Sequence, residues 1–366
     1  MGHPQKNRGG DSSADLLTRR KFIVTEPTMT LLEVAKQARV STATVSRVLN
    51  DNGPIKASTR LRVLKAIEKC RYYPNSNARA LAGRKSRTLG MVVSNLENPF
   101  FVDIFRALED ESNRHGYEVA VANTNYIPRR LVAQVHLMIE RRVAGLAVVV
   151  SEMEPALLRE LRELNLPVVL FDVGEAGGCI SKFKVNYQSG MRKVVTYLYS
   201  LGHRRMAFIG HHAGLQPLHE RQKAFLETMK LYAGEVEFET ATGRDGAEGG
   251  RQAARSLLAS GAKPTAIVCT NDFMAIGVMK ALRELGLKIP GDVSVTGHDN
   301  INLSDFMAPA LTTLDVPRER IGRLAFRTLV PESGESVGPG NELLIEPQLL
   351  VRDSTTLAPG SNLAVA

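Results

Sequence analysis

Cysteine is scarce: Cys70, Cys179 and Cys269 are all the chain holds, and they stand far apart in sequence. This excludes a disulfide framework and a CxxC metal or redox pair, and it implies a reducing cytoplasm. No apolar run approaches the roughly 20 residues of a membrane span, so no membrane partner is expected. Residues 1–28 are polar and basic, without the apolar core of roughly 7 to 15 residues and the small-residue cleavage site of a secretory signal. They read as a disordered basic arm. The glycine-rich Gly243–Gly250 has neither GxGxxG nor Walker spacing and reads as a turn before a helix. His203, His211, His212 and His219 lack a supporting Cys or carboxylate pattern, so no metal is expected there. There is no GxSxG elbow and no paired catalytic carboxylate context. Neither enzyme activity nor a cofactor is expected.

With 366 residues, 43% of them hydrophobic and 23% charged, the chain is long enough for two or three globular units. Its net charge of +9 is unevenly placed: residues 1–87 carry 18 Lys and Arg against 6 Asp and Glu, and the remainder 29 against 32. All the basic excess lies in the first quarter. A basic block on a slightly acidic body is the electrostatic footprint of a nucleic-acid arm, because each cation placed on a phosphate releases a condensed counterion.

Thr30 followed by Glu33 forms a capping box ahead of the stripe Leu32, Val34, Ala35 and Ala38, which predicts a first helix. Ser41 can cap a second, buried through Val45, Val48 and Leu49. Its other face carries Thr42, Ala43, Ser46, Arg47 and Asn50, small, hydroxylic and singly basic, as suits a helix in the major groove. Asp51–Pro54 breaks the chain, and Ser58 starts a third helix expected to turn Leu61, Leu64 and Ile67 inward. Tyr73-Pro74 ends that helix, and Asn75 can cap a short new one with a narrow stripe of Ala78, Leu81 and Ala82. So short a helix is marginal alone and is expected to form only on DNA, where a leucine can wedge between base steps.

The string from Thr30 to Asn50, with its Val-Ala, Val-Ser and Thr-Val-Ser-Arg-Val elements, closely resembles the headpiece of the LacI/GalR family, and Tyr73–Gly83 resembles that family's hinge. The resemblance implies that Thr42 and Ala43 set specificity and that Arg47 reads a base. It places Ser41, Thr44, Ser46, Asn50 and Thr59 on phosphates and makes Leu81 the minor-groove wedge. The expected organisation is an arm (1–28), a helix-turn-helix domain (29–74), a hinge helix and linker (75–87), a bilobal effector-binding and dimerisation domain (88–351) and a tail (352–366).

From Thr88 onward β-branched runs alternate with amphipathic stretches, which argues for parallel sheets with crossover helices. Strands are expected at 89–93, 118–122, 146–150 and 168–171 in one lobe and at 206–209, 266–269 and 293–297 in the other, with the chain recrossing after Leu311. Asn98–Phe101, Leu201–Gly210, Thr270–Gly277, Pro290–Val295 and Pro309–Thr313 resemble the family's periplasmic-binding-protein-like core of two doubly wound parallel sheets.

Ligands of doubly wound sheets sit beyond the carboxyl ends of strands. By position the effector candidates are Asn98, Phe100, Asn123, Asp172, Asn271, Asp272 and Asp299, and the resemblance adds Arg221 and Asp245. Carboxylates and amides suit paired hydroxyls, and Phe100 suits an apolar sugar face, so a sugar-like effector is expected. Phe171–Ala176 is similar to purine-responsive members of the family, which points to a nucleobase. Against that, Leu215 stands where those members have a second cleft arginine, and Asp245 stands at their base-stacking position. Asn186 replaces a common Asp between the lobes.

The expected function is a sequence-specific transcriptional regulator, a repressor in this reading, that binds pseudo-palindromic operator DNA as a homodimer or a tetramer and is modulated by a small polar effector. A solute-binding protein and a sugar- or nucleotide-metabolising enzyme on the same core are the alternatives.

Overall fold

The computed structural model describes residues 30–49, 53–72, 86–211, 216–331 and 337–361. The chain divides into two units, Met1–Ala82 and Gly83–Ala366. The basic arm, Asn50 and the hinge residues Asn75, Ala78 and Leu81 lie outside the described residues.

In the first unit α1 (Leu31–Ala38) opens on the full capping box of Thr30 and Glu33 and closes on Arg39 in the left-handed region, φ 52°. α2 (Thr42–Leu49) is capped by Ser41, whose hydroxyl accepts from the Thr44 amide at 3.2 Å. α3 (Ala57–Lys69) follows. The core is Val34, Ala35, Ala38, Val45, Val48, Val63, Ala66 and Cys70. Three leucines expected inside are not there: Leu32 is 54% exposed, Leu61 56% and Leu64 48%. On α3 the buried stripe is Val63, Ala66, partly Ile67, and Cys70, spaced i, i+3, i+4, i+7. Phasing the helix on its leucines rotates that stripe to the wrong side.

The second unit holds two six-stranded sheets. The first lobe carries β1 (Thr88–Val93), β2 (Glu118–Asn123), β3 (Leu146–Val149), β4 (Val168–Phe171), β5 (Ile180–Val185) and β11 (Glu342–Ile345), in spatial order β11-β5-β4-β3-β1-β2, all pairs parallel. Its helices are α4 (Pro99–Arg114), α5 (Pro128–Glu140), α6 (Pro155–Glu163) and α11 (Arg318–Leu329). The second lobe carries β6 (Arg205–His211), β7 (Glu237–Gly243), β8 (Ala266–Cys269), β9 (Ser294–Asp299), β10 (Thr312–Asp315) and β12 (Gln348–Leu350), in order β12-β10-β9-β8-β6-β7. Only its β10–β12 pair is antiparallel. Its helices are α7 (Tyr187–Ser200), α8 (Gln216–Met229), α9 (Ala247–Ala259) and α10 (Asp272–Glu284).

The chain therefore passes between the lobes three times: between β5 and α7, between β10 and α11, and between β11 and β12. The first lobe does not end at Phe171 as the strand spacing implied, because β5, α11 and β11 belong to it. Residues 352–361 also depart from the expected tail. Ser354 is fully buried and its hydroxyl donates to the Val295 carbonyl at 2.6 Å, while the Ala358 amide donates to Leu201. This segment satisfies polar groups at the amino ends of β9 and β10.

Asparagine side chains start three of the core helices: Asn98 accepts from Phe100 N at 3.1 Å, Asn186 from Ser189 N at 3.1 Å and Asn271 from Met274 N at 2.8 Å. All three follow strands, so each cap also fixes a polar group at the sheet edge that faces the other lobe. The turn at Gly246, φ 107°, leads into α9 as expected. α9 and α10 touch backbone to backbone: a Cβ on Gly277 would lie 1.6 Å from the Ala247 carbonyl oxygen.

Candidate functional site

In the first unit, α2 buries Val45 and Val48 and leaves Ser41, Thr42, Ala43 and Arg47 exposed, with Thr44 and Ser46 half-buried. The Thr44 and Ser41 hydroxyls are hydrogen-bonded to each other at 2.9 Å. Thr59 sits half-buried in the first turn of α3. The expected DNA-facing residues of α2 thus share one surface, and a helix of this size with small residues and one arginine outward fits a major groove.

In the second unit, the cleft between the lobes is lined by Asn98, Phe100, Phe101, Tyr126, Val150, Ser151, Phe171, Asp172, Tyr187, Arg221, Asn271 and Asp299. Six of the effector candidates meet there: Asn98, Phe100, Asp172, Arg221, Asn271 and Asp299. Phe100 leans on Phe171 with ring centroids 5.7 Å apart.

Arg221 is the hub. One of its terminal nitrogens donates to the Thr270 carbonyl at 2.8 Å; the other lies 3.3 Å from the Tyr187 hydroxyl and 3.3 Å from an Asp299 oxygen. Its guanidinium carbon stands 4.9 Å over the Tyr187 ring. Burial opposes the guanidinium charge, yet Asp299 and Tyr187 outweigh it and raise the pKa. The charge is permanent.

Asp172 takes the amide of Val185 at 2.7 Å and the hydroxyl of Tyr187, so one carboxylate ties β4 to β5 and to the first interlobe crossing. Burial pushes its pKa up to about 6, with the Tyr187 hydrogen bond pulling the other way. Asp172, Asp299 and Tyr126 all have positive φ, at 58°, 108° and 58°. Non-glycine residues hold such backbone only where their surroundings impose it, and it concentrates at functional sites.

Three candidates stand elsewhere. Asp272 is buried, accepting from Thr313 Oγ1 at 2.6 Å and from the Ile301 amide at 2.9 Å. It ties β10 to the segment after β9, and burial with the nearby Asp299 charge raises its pKa to about 8. Asn123 bonds Asn125 at 2.6 Å. Asp245 belongs to a latch: it accepts from Tyr126 OH at 2.6 Å and Asn95 Nδ2 at 3.2 Å in the first lobe, and from Asn271 Nδ2 at 2.8 Å in its own. Asn186 reaches Glu346 at 2.7 Å and so joins two of the three interlobe crossings.

Sequence reasoning missed Tyr126, Tyr187 and Ser151, which line the cleft. Tyr187 opens a helix directly after a strand, Ser151 follows β3 and Tyr126 follows β2, so all three had a usable positional signal. His203, from the histidine cluster, is a buried core residue bonded to Thr265 and Thr356. Among the described residues no group of His, Cys, Asp and Glu is placed to hold a metal ion, and no helix is long and apolar enough to cross a membrane.

The cavity enclosed by these cleft residues is about 30 Å³, room for a water or two where a small-molecule site needs roughly 300 Å³ or more. The lobes are closed on each other. A larger cavity of about 460 Å³ shares Asp172 and Tyr187 with the cleft, and its lysines (Lys182, Lys184, Lys223) are offset by Glu220 and Glu227.

Residues 30–75 match the family of bacterial regulatory proteins, lacI family, and residues 195–355 match a periplasmic binding protein-like domain. The HTH-type transcriptional repressor PurR of Vibrio vulnificus (strain CMCP6) is 32% identical over 340 residues, covering 89% of this chain and 98% of the relative. Among solved structures, the Lac repressor dimer bound to operator and the anti-inducer ONPF is similar at 28% identity and TM-score 0.74, over 90% of this chain and 99% of that one. The complex of the transcriptional regulator CelR with cellobiose is similar at 27% identity and TM-score 0.62, over 89% and 99%.

Proposed function

Since the chain belongs to the lacI family of bacterial regulatory proteins and is a DNA-binding transcriptional regulator, we propose that it represses by binding a pseudo-palindromic operator as a homodimer and that a small polar effector, sugar-like in chemistry, sets its operator affinity from the interlobe cleft. The observation that carries the effector reading is the convergence of Arg221, Asp299, Asn271 and Asp172 on one aromatic-walled cleft at the carboxyl ends of both sheets. Carboxylates and amides accept and donate to vicinal hydroxyls, and Phe100 offers a flat apolar face. The cellobiose complex of CelR is consistent with this chemistry.

In the headpiece, Arg47 reads a base edge, Thr42 and Ala43 flank it, and Ser41, Thr44, Ser46, Asn50 and Thr59 hold phosphates. Asn75, Ala78 and Leu81 are assigned to the hinge that carries the effector signal to the operator. A ligand shifts operator affinity only through unequal affinity for two lobe arrangements, and the closed cleft supplies one of the two.

A second reading, a nucleobase effector, is favoured by the Phe171–Ala176 string and by the PurR relatives. Asp245 weighs against it, since its carboxylate is occupied by Tyr126, Asn95 and Asn271 where a stacking ring would be needed. Titrating the full chain with cellobiose, D-ribose, D-glucose and hypoxanthine while following operator binding by fluorescence anisotropy distinguishes the two. A response to a sugar alone supports the first reading, and a response to hypoxanthine alone replaces it with the second.

A further inference from the structure

His298 lies at the end of β9, fully buried, and belongs to none of the residue sets assigned above. Its Nδ1 is 2.8 Å from Asp299 Oδ1, the same oxygen that stands 3.3 Å from Arg221. A carboxylate in an ion pair only accepts, so Nδ1 carries the ring proton and Nε2 is left as a lone-pair acceptor. Nε2 has no partner, and neither do Arg221 Nε and the hydroxyls of Thr270 and Thr296. Thr296 is two residues before His298 on the same strand and so points to the same sheet face. Buried unsatisfied polar atoms of this kind are where internal waters sit.

Burial and the Arg221 charge hold the His298 pKa down, at about 4, so the ring is neutral throughout the physiological range. It therefore adds a donor to Asp299 without adding charge. Among the described residues lining the cleft Arg221 is the only cation, and it faces the carboxylates of Asp299 and Asp172.

We propose that His298 is a positioning residue that aims the Asp299 carboxylate into the cleft, and that the resulting site selects an uncharged, hydrogen-bond-donating effector over a phosphorylated or acidic one. This rests on the effector reading of the cleft. An anionic effector would have to share Arg221 with Asp299, leaving a buried carboxylate without its counter-ion, which is costly at so buried a pair. A neutral polyol places its hydroxyl donors on Asp299 and its oxygens on Arg221 and Asn271, and leaves the ion pair intact.

The test uses the full chain as wild type, His298→Leu and His298→Asn, with isothermal titration of D-glucose, D-ribose, cellobiose and hypoxanthine, and of D-glucose 6-phosphate and D-gluconate. Operator affinity without ligand and the thermal midpoint are measured on each variant. The uncharged binder is expected to be at least tenfold tighter than either anion. His298→Leu should weaken it at least tenfold. His298→Asn, whose Nδ2 replaces the Nδ1 donor, should restore it to within threefold, and operator binding without ligand should be unchanged in all three. A merely space-filling histidine predicts the reverse order, with Leu tolerated better than Asn. Equal or tighter binding of the phosphate or the acid, or wild-type affinity in His298→Leu, overturns the proposal alone. A wild type that binds operator but none of these compounds overturns the effector reading and the proposal together.

Discussion

Tyr126, just after β2 in the first lobe, donates its hydroxyl to Asp245 of the second at 2.6 Å. Burial and the Asp245 charge keep the phenol protonated, its pKa raised well above the ordinary range. With Asn95 beside it, this is a direct bond between the lobes next to the cleft that Tyr126 lines.

Tyr126→Phe removes one hydrogen bond to a charged group, a loss of about 1.5 to 3 kcal/mol from the closed arrangement. The closed-to-open ratio then falls roughly tenfold or more. Small-angle scattering of the ligand-free chain should report a larger radius of gyration, and the effector should bind faster. An unchanged radius and association rate would mean that the latch does not hold the lobes.

The backbone contact between α9 and α10 sets a second expectation. Gly277→Ala and Gly250→Ala would each force a methyl to within 1.6 and 2.1 Å of a carbonyl oxygen, whereas Gly291→Ala meets nothing nearer than 3.6 Å. The first two should cost about 1 to 3 kcal/mol or more, and the third should be near neutral. Urea denaturation measures all three.

The pH dependence of the core follows from two buried groups of opposite sign. Asp272 has its pKa raised to about 8 by burial and by Asp299. Its contribution is full below the ordinary value of about 3.9 and is lost as pH rises through 8. His298, held down at about 4 by burial and the Arg221 charge, contributes above its ordinary value of about 6.5, and that contribution is lost as pH falls toward 4. Above pH 6.5 only the Asp272 slope and the end of the Asp172 transition remain. Stability should therefore fall between pH 6.5 and 8.5, by up to about 1.4 kcal/mol per pH unit. Asp272→Asn should flatten that slope, as read by urea midpoints at fixed ionic strength.

On the headpiece, Arg47→Ala should lose about 1 to 3 kcal/mol of discrimination at one base per half-site. Losing a phosphate contact such as Thr44 should weaken all sequences alike. Competition with mutated operators separates the two, and equal losses of Arg47→Ala on specific and random DNA would remove its base-reading role.

Much of this was legible in the sequence because the signals were local. The Thr30–Glu33 capping box and the Ser41 cap are short-range hydrogen bonds, and the strand candidates were apolar runs bounded by turns. β5 (Ile180–Val185) and β7 (Glu237–Gly243) escaped notice for a physical reason. β5 breaks its apolar pattern with two lysines, and β7 is an exposed edge strand whose residues are mostly polar. The recrossings that bring α11, β11 and residues 352–361 home depend on pairings over 40 to 160 residues, such as Thr312 with Arg352 and Lys182 with Asn341. In the site, residues just past strands were found by position alone. What position could not reveal is direction: Asp272 and Asp299 both stand at strand ends, yet Asp272 bonds Thr313 and Ile301 while Asp299 lines the cleft.

The central claim is that Arg221 and Asp299 form the effector site of an operator-binding protein. Operator affinity of the wild type, Asp299→Asn and Arg221→Lys, with and without the compound that binds the wild type, at one fixed salt concentration, tests it most directly. The account predicts near-wild-type operator binding by both variants without ligand, because neither residue lies in the headpiece, and a response to ligand weakened at least tenfold. Variants that answer the ligand at wild-type concentrations would contradict it.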